Sequence, residues 1–319
     1  MKFKKFTAVI ATVLAMSSFG ACTDKNKQVQ LNAYWLENSQ AFANIDETLT
    51  YGVTFEASSS ISEMGYDIVN NNGTYATHLK SSQEGGENVY TYTTELDLQV
   101  TYTYNGESAE FTDRVYSETK FNETLKPISS VKTIVSHSPV NTNGGHKKVS
   151  DCYASYAYEV KTNYSGKDGA SVVTNYADPE NPKEVRNETF NASGGNYRYL
   201  DNEQLLFALR GVPNSTISGK LRFYSPFVDE LQLVKFKFDD ETGAKFDYTE
   251  NGTAVSKDIT YRPATLTLSA KNPGATQTAW IAKCTDAEHN ANRNILLRLE
   301  TPLSYNMGKL VYKLNSVSR

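Results

Sequence analysis

The strongest pattern in the chain is an alternation of apolar and polar positions over Tyr90–Tyr104. The even-numbered positions are aromatic, aliphatic or Thr, and the odd-numbered positions between them are polar. A period of two over this length predicts a long β-strand with one buried face. Asn105 and Gly106 follow, a dipeptide that suits a two-residue hairpin turn. We therefore expect the chain to return antiparallel as a second strand, Ala109–Phe121.

This hairpin predicts its own register. The expected cross-strand pairs are Tyr102 with Ala109, Val100 with Phe111, Leu96 with Val115 and Tyr90 with Phe121. The pairing places most apolar residues of both strands on one face, which is the condition for a stable register. Asp113 is the clearest exception, because it puts a carboxylate on the buried face.

A second alternation predicts a second hairpin after a loop. Its strands are Cys152–Tyr164 and Ala170–Tyr176, joined by a turn at 165–169. The segment 136–150 contains Pro and Gly and few apolar residues, so it is a candidate boundary within the β-rich region. The later segment 178–196 is rich in Pro, Asn and Gly, and we expect it to be irregular.

A short amphipathic helix is predicted next. Asp201 fits the N-cap, Gln204 fits the capping-box position and Gly211 fits the end of the helix. Leu205 and Leu209 then fall on one side with Leu206, which predicts a single apolar face.

The C-terminal third reads as further strands. They are Lys220–Phe227, Glu230–Phe238, Lys245–Thr249, Lys257–Arg262, Ala264–Ala270, Thr278–Cys284, Ile295–Thr301 and Lys309–Leu314. A change of apolar parity within Leu231–Phe238 predicts a β-bulge or a strand buried on both faces. The expected fold class is mainly β, either an antiparallel β-sandwich or a strongly curved antiparallel sheet, with one or two short helices.

The N-terminus has the pattern of a secretory signal peptide over residues 1–21. Three lysines stand among the first five residues, an apolar run follows, and Gly20 and Ala21 precede Cys22. This stretch resembles the lipobox of bacterial lipoproteins, although Phe19 replaces the usual aliphatic residue. The resemblance implies that Cys22 carries acyl chains such as palmitate. It also implies an extracytoplasmic, membrane-anchored protein at the cell surface or, if the host has one, the outer membrane.

The domain organisation follows from that assignment. After the signal peptide, residues 22–32 are polar and form a tether, and residues 33–319 form a β-rich extracytoplasmic region. Long curved strands behind a lipobox are similar in architecture to the half-barrel lipoprotein carriers of the LolA and LppX type. That resemblance implies a concave sheet that holds acyl chains.

Composition and motifs exclude more than they assign. A net charge of −4 gives no basis for nucleic-acid binding. Nucleophile-elbow, zinc-protease, Walker and dinucleotide-binding motifs are all missing from the sequence, so we assign no catalytic residue, no metal and no cofactor. The chain has 21 tyrosines, which suit half-buried strands and also line sugar-binding surfaces.

Four groups of residues remain as candidates for local chemistry. His137 and His146 share a loop that could bind a metal weakly, and Asp239–Asp247 is an acidic turn that could hold calcium. A polar loop accounts for the acidic and histidine residues at 286–289. Cys152 and Cys284 could form a disulfide, or each could be a small buried hydrophobe.

Three functions are compatible with these patterns. The first is non-catalytic binding of a glycan, peptide or envelope partner through tyrosines or Trp35 or Trp280. The second is a lipid carrier or envelope-assembly lipoprotein, and the third is a surface polysaccharide hydrolase. The partner that the sequence predicts is the membrane, through the expected lipid on Cys22.

Overall fold

The computed structural model describes residues 31, 45–63, 65–140, 145–166, 168–178, 180–191, 199–226, 230–268, 276–283, 294–303 and 307–319. The chain is mainly β, as predicted. The strands are β1 Asp46–Ala57, β2 Asp67–Glu84, β3 Glu87–Tyr104, β4 Glu107–Asn122, β5 Pro127–Pro139, β6 Tyr153–Ser165, β7 Asp168–Asn175, β8 Lys183–Asn191, β9 Tyr199–Leu200, β10 Ser218–Ser225, β11 Glu230–Phe238, β12 Thr242–Glu250, β13 Thr253–Leu268, β14 Gln277–Ala282, β15 Leu296–Pro302 and β16 Gly308–Ser318. A short helix, α1, spans Ser59–Glu63.

All the described strands belong to one strongly curved sheet. Its order is β8-β7-β6-β5-β4-β3-β2-β1-β16-β15-β14-β13-β11-β10-β9. Neighbours are antiparallel except for β9 with β10 and β12 with β16. Because β12 pairs with both β13 and β16, the strands β12 to β16 close into a ring. Of the two predicted architectures, the curved sheet is therefore the one observed.

The first predicted hairpin has the predicted register. Strands β3 and β4 pair Tyr102 with Ala109, Val100 with Phe111, Leu96 with Val115 and Tyr90 with Phe121. The turn residues Asn105 and Gly106 have φ of 50° and 81°. Positive φ at both positions is what a type I′ turn requires, and Asn-Gly supplies it with little strain. The second hairpin is β6 and β7, also at the predicted place.

Polar strands were missed by the sequence pattern. The prediction for 178–196 was wrong, because β8 lies within it and pairs along β7. The long strand β2 was also not predicted; three consecutive asparagines interrupt its alternation, and its register shifts between Asn70 and Asn72.

The candidate boundary 136–150 begins inside β5, which also was not predicted. Since β5 pairs with β6 from Ser129 to Pro139, the sheet continues across this segment.

Two predictions in the C-terminal third need correction. Strand β13 runs through Pro263 as one element rather than two. Pro263 is tolerated within the strand. On one side, β13 pairs with β12 up to Tyr261 and with β11 only from Ala264, so the N–H that proline lacks would lie between these two neighbouring strands. The parity change in β11 is neither a bulge nor two-sided burial. The pairing with β10 is regular, and Leu231 is exposed.

The concave face of the sheet, which we call the inner face, encloses residues 202–211, which we call the helical segment. It consists of a 3₁₀ turn Asn202–Gln204, the α-helix α2 Leu205–Ala208 and a 3₁₀ turn Leu209–Gly211. The capping box forms as predicted, since the Asp201 carboxylate accepts from Glu203 N at 2.8 Å and Gln204 Oε1 accepts from Asp201 N at 3.0 Å. The prediction of one apolar face was wrong. Every residue from 204 to 211 is buried, as expected for a helix enclosed on all sides.

Side chains join the two ends of the sheet. Phe190 on β8 stacks on Tyr224 of β10, with ring centroids 3.9 Å apart. Arg186 Nη1, also on β8, donates to Pro226 O at 3.0 Å. A Cβ on Gly169 of β7 would overlap the Phe190 ring, so the ring lies directly over that glycine. The inner face is thus closed at this seam by aromatic packing.

Candidate functional site

The residues assigned from sequence are only partly described. Cys22, the predicted lipidation site, and Cys284 lie outside the described residues, as does Trp35. Cys152 is buried, and burial followed by the nearby Asp151 carboxylate raises the pKa of its thiol. The Cys152–Cys284 pairing therefore stays a prediction. Trp280 is half-buried on β14, with the Arg298 guanidinium 5.0 Å above its ring.

The two loop histidines have separate protein partners. His137 lies on β5 and its Nδ1 is 2.7 Å from Asp113 Oδ1. His146 is buried, with Nδ1 3.0 Å from Asp151 O and its ring packed against Tyr66. Among the described residues, no group of three or more His, Cys, Asp or Glu side chains could hold a metal ion.

The acidic turn is neutralised in part by lysines. Lys237 Nζ lies 3.4 Å from Asp239, and Lys283 Nζ lies 2.7 Å from Glu241. Lysine ammonium groups occupy positions where a calcium ion would need free carboxylates.

None of the helices in the described ranges has the length and apolar character of a membrane-spanning segment.

Asp113 marks the place where β4 and β5 part. The backbone pairing of these strands ends at Arg114 with Val135. Beyond that point the buried Asp113 carboxylate accepts from His137 N at 3.0 Å, and so replaces a ladder hydrogen bond. The Phe111 ring stacks on His137 at 3.8 Å. The carboxylate that broke the sequence pattern therefore has a structural explanation in strand separation.

The N-terminal end of the helical segment is held by a buried polar cluster. Asp201 Oδ2 accepts from Ser130 Oγ at 2.6 Å and from Tyr164 OH at 2.7 Å. Lys132 Nζ pairs with Glu203 at 2.8 Å. Burial, followed by the Glu203 charge, raises the pKa of Asp201. These contacts join the segment to β5 and β6.

The C-terminal end is held by a buried ion pair with β1. Arg210 Nη1 donates to Glu47 Oε1 at 2.6 Å, and Arg319 Nε donates to Glu47 Oε2 at 2.9 Å. Burial alone raises the pKa of Glu47, but the two guanidinium groups outweigh burial and lower that pKa to about 2. Between the two ends, Phe207 packs on Tyr92 and Phe121 at centroid distances of 4.8 and 5.2 Å.

Two half-buried tyrosines, Tyr156 and Tyr158, stand side by side on β6. Because side chains alternate along a strand, they share a face of β6 with the buried Val160. Their ring centroids are 6.5 Å apart and the rings are inclined by 28°. Ser136 is the cross-strand neighbour of Tyr156 and is buried. The sequence identified these tyrosines as one face of a strand but could not distinguish them from core residues.

Two small, partly open cavities are lined by described residues. The first is lined by Phe55, Ile68, Leu98, Val100, Tyr102, Pro139, Leu303 and Leu310, and the second by Leu49, Tyr51, Thr77, Tyr92, Leu206, Phe207, Arg210, Ile281 and Leu296. Each has a volume of about 20 Å³, comparable to a single water molecule.

Comparison with known proteins found no match to any family model, curated protein or solved structure.

Proposed function

We propose that this chain is a lipid-anchored, extracytoplasmic bacterial protein that binds a ligand without converting it, and that the part of β6 that carries Tyr156 and Tyr158 belongs to its binding surface. The observation that carries the proposal is the half-buried tyrosine pair, Tyr156 and Tyr158, in a chain whose N-terminus resembles a lipobox. Paired aromatic rings beside polar groups are typical of binding surfaces.

The position of Leu31 supports a short anchor. Leu31 lies near the end of the predicted tether, yet only 4% of it is exposed and it packs in the hydrophobic core. It follows Cys22 by nine residues. An extended chain of that length spans at most about 30 Å. Lipidation at Cys22 would therefore keep the domain close to the membrane surface.

The buried carboxylates support binding over catalysis. Among the described residues the buried acidic side chains are Glu47, Asp113 and Asp201. Each forms hydrogen bonds that join one element of the fold to another. A glycosidase instead needs two carboxyl groups facing each other across a cleft.

The filled interior favours a surface ligand over a carried lipid. The helical segment occupies the space enclosed by the sheet, and both described cavities are only water-sized. An acyl chain needs a far larger apolar space than either of these two cavities offers.

The anchor is tested by fractionation of cells that produce the full chain. We expect the wild type to sediment with membranes and to incorporate a palmitate analogue. Cys22→Ala should appear in the soluble extracytoplasmic fraction without label. Cys152→Ala makes the same chemical change at a buried site and should stay at the membrane. Retention of Cys22→Ala in the membrane fraction would contradict the proposal.

A further inference from the structure

One edge of β4 is open near the turn of the first hairpin. The residues that flank the turn 105–106 form a hydrogen-bonded pair, so the odd-numbered residues of β4 bond to β3. The even-numbered residues Ser108, Glu110 and Thr112 therefore direct their N–H and C=O groups away from β3. Strand β5 pairs with that side of β4 only from Arg114 onward. We call these three residues the open edge, because no described strand pairs with them on that side.

The strand on the other side of this gap is blocked. Beyond its last pair with β4, β5 has its His137 N–H bonded to the Asp113 carboxylate at 3.0 Å and its His137 C=O bonded to Tyr102 OH at 2.7 Å. The next residue that would face the gap, Pro139, has no N–H to donate. Proteins usually cover or block unpaired strand edges, because such edges pair readily with other strands. Here β5 is blocked, whereas all three residues of the open edge are exposed.

We propose that the open edge binds an extended peptide of a partner protein, which joins the sheet as one more antiparallel strand and places a basic side chain beside Glu110. The three N–H and three C=O groups offer this strand the same kind of hydrogen bonds that β5 makes further along β4. The open edge does not include Tyr156 or Tyr158, so such a peptide would be a second ligand, beyond the one of the proposed function.

The charges on the outer face beside the open edge are negative. On this face, opposite to the inner face, Glu110 on β4 and Asp67 on β2 are both exposed. Neither forms an ion pair with a described residue. The next cation along this face of β4, Arg114, is already bonded to Asp97 at 2.9 Å. A lysine or arginine of the added strand would therefore meet a carboxylate for which no described cation competes.

Two lysines lie on the other face of the hairpin. Lys147 and Lys148 follow His146, whose C=O accepts from Tyr104 OH on the inner face. Their backbone N–H groups are bonded to the Asp151 carboxylate at 3.0 and 3.2 Å. The hairpin therefore lies between these lysines and the outer face that carries the acidic side chains.

Charge also disfavours a second copy of the chain as the occupant. Antiparallel pairing of two open edges about their middle residue would place Glu110 directly opposite Glu110, and like charges in that position are destabilising. A lysine at the same position of a partner would be stabilising instead. Ala109 and Phe111 point to the opposite face of β4, so we expect apolar residues to alternate with the basic ones in the peptide.

The test is fluorescence anisotropy of the full-length protein, purified in a non-ionic detergent, with a labelled peptide of alternating lysine and valine about nine residues long. We expect saturable binding of this peptide and none of the matched glutamate–valine peptide. Thr112→Pro removes an outward N–H without a change of charge and should weaken binding by about tenfold or more. Thr112→Ala keeps that N–H and should bind within about threefold of the wild type.

The contribution of charge is tested by a second pair of variants. Glu110→Gln should weaken binding of the lysine–valine peptide by about threefold, and added salt should reduce that difference. Glu87→Gln removes an exposed carboxylate at the opposite end of β3 and should leave binding unchanged.

Several outcomes would overturn the proposal. If the lysine–valine peptide does not bind, or the glutamate–valine peptide binds equally well, the partner chemistry is wrong. If a folded Thr112→Pro variant binds like the wild type, the site is wrong. Self-association that Thr112→Pro abolishes in sedimentation would assign the edge to a second copy. Should that variant fail to fold, amide hydrogen exchange of the wild type decides: the peptide should slow exchange along the open edge but not at Ala109 and Phe111, and any other pattern would refute strand addition.

Discussion

Glu47 on the first strand and Arg210 at the end of the helical segment form a buried ion pair, with Arg210 Nη1 2.6 Å from Glu47 Oε1. The two residues are 163 positions apart in the chain. The contact fastens the segment that fills the sheet to the centre of the strand order, where β1 lies between β2 and β16.

Removing one partner of this pair should be costly. Arg210→Met leaves the Glu47 carboxylate buried with only Arg319 beside it, and we expect a loss of about 3 kcal/mol in the free energy of unfolding. Adding Glu47→Gln to Arg210→Met should restore part of that loss, because the unpaired charge is then gone. Urea denaturation measures both. Lys120→Met breaks the more exposed pair with Glu84 and should cost less than about 1 kcal/mol. Equal losses for the two single variants would contradict the prediction.

The same carboxylate should make stability depend on acid pH. The pKa of Glu47 falls from an ordinary 4.5 to about 2 in the folded protein. A depressed pKa stabilises the folded state at pH values above the ordinary pKa, and that stabilisation, about 3 kcal/mol, disappears as the pH falls through the folded value. The stability advantage of the wild type over Glu47→Gln should therefore shrink between about pH 5 and pH 2. An advantage that stays constant over this range would refute the assignment.

Asp201 should make stability depend on pH in the opposite direction from Glu47. Burial and Glu203 raise its pKa, so folding takes up a proton and the ionised carboxylate opposes folding at neutral pH. Asn keeps the capping oxygen without the charge, so Asp201→Asn should equal or exceed the wild type in stability near neutral pH. Its relative advantage should vanish as the pH falls below the raised pKa. Asp201→Ala loses the cap and should cost about 1–2 kcal/mol. Chemical denaturation as a function of pH separates these results, and an Asn variant less stable than the Ala variant would contradict them.

The seam between the sheet ends should be sensitive to one methyl group. Gly169→Ala places a Cβ against the Phe190 ring, which then must leave its stacking position on Tyr224. We expect a loss of about 1–3 kcal/mol in thermal or chemical unfolding. Gly52→Ala in β1 is the matched control, because its Cβ would meet no atom within 4 Å. Phe190→Leu should rescue part of the Gly169→Ala loss, and a rescue that fails would place the clash elsewhere.

Local patterns predicted the parts of the fold whose cause is local. The β3–β4 hairpin followed from period-two burial and from Asn105-Gly106, and the helix cap followed from Asp201 and Gln204. Strand β8 could not be found in this way, because few of its residues are apolar and no apolar–polar alternation marks it. The tyrosine pair was visible only as alternation in β6. Nothing in the sequence indicated that both rings would stay half-buried while Val160 on the same face is buried.

The sequence alone determined which residues face together along each strand, where the tight turns fall, and the resemblance of the N-terminus to a lipobox. These features depend on neighbours a few residues apart, whose backbone preferences and periodicity act before any long-range contact forms. Only the tertiary structure decided that the sheet curves around residues 202–211 and that its ends meet at Phe190 and Tyr224. It also decided that Glu47 meets Arg210 and that Asp201 meets Ser130. Those contacts join distant segments, and their geometry is set by the curvature of the whole sheet.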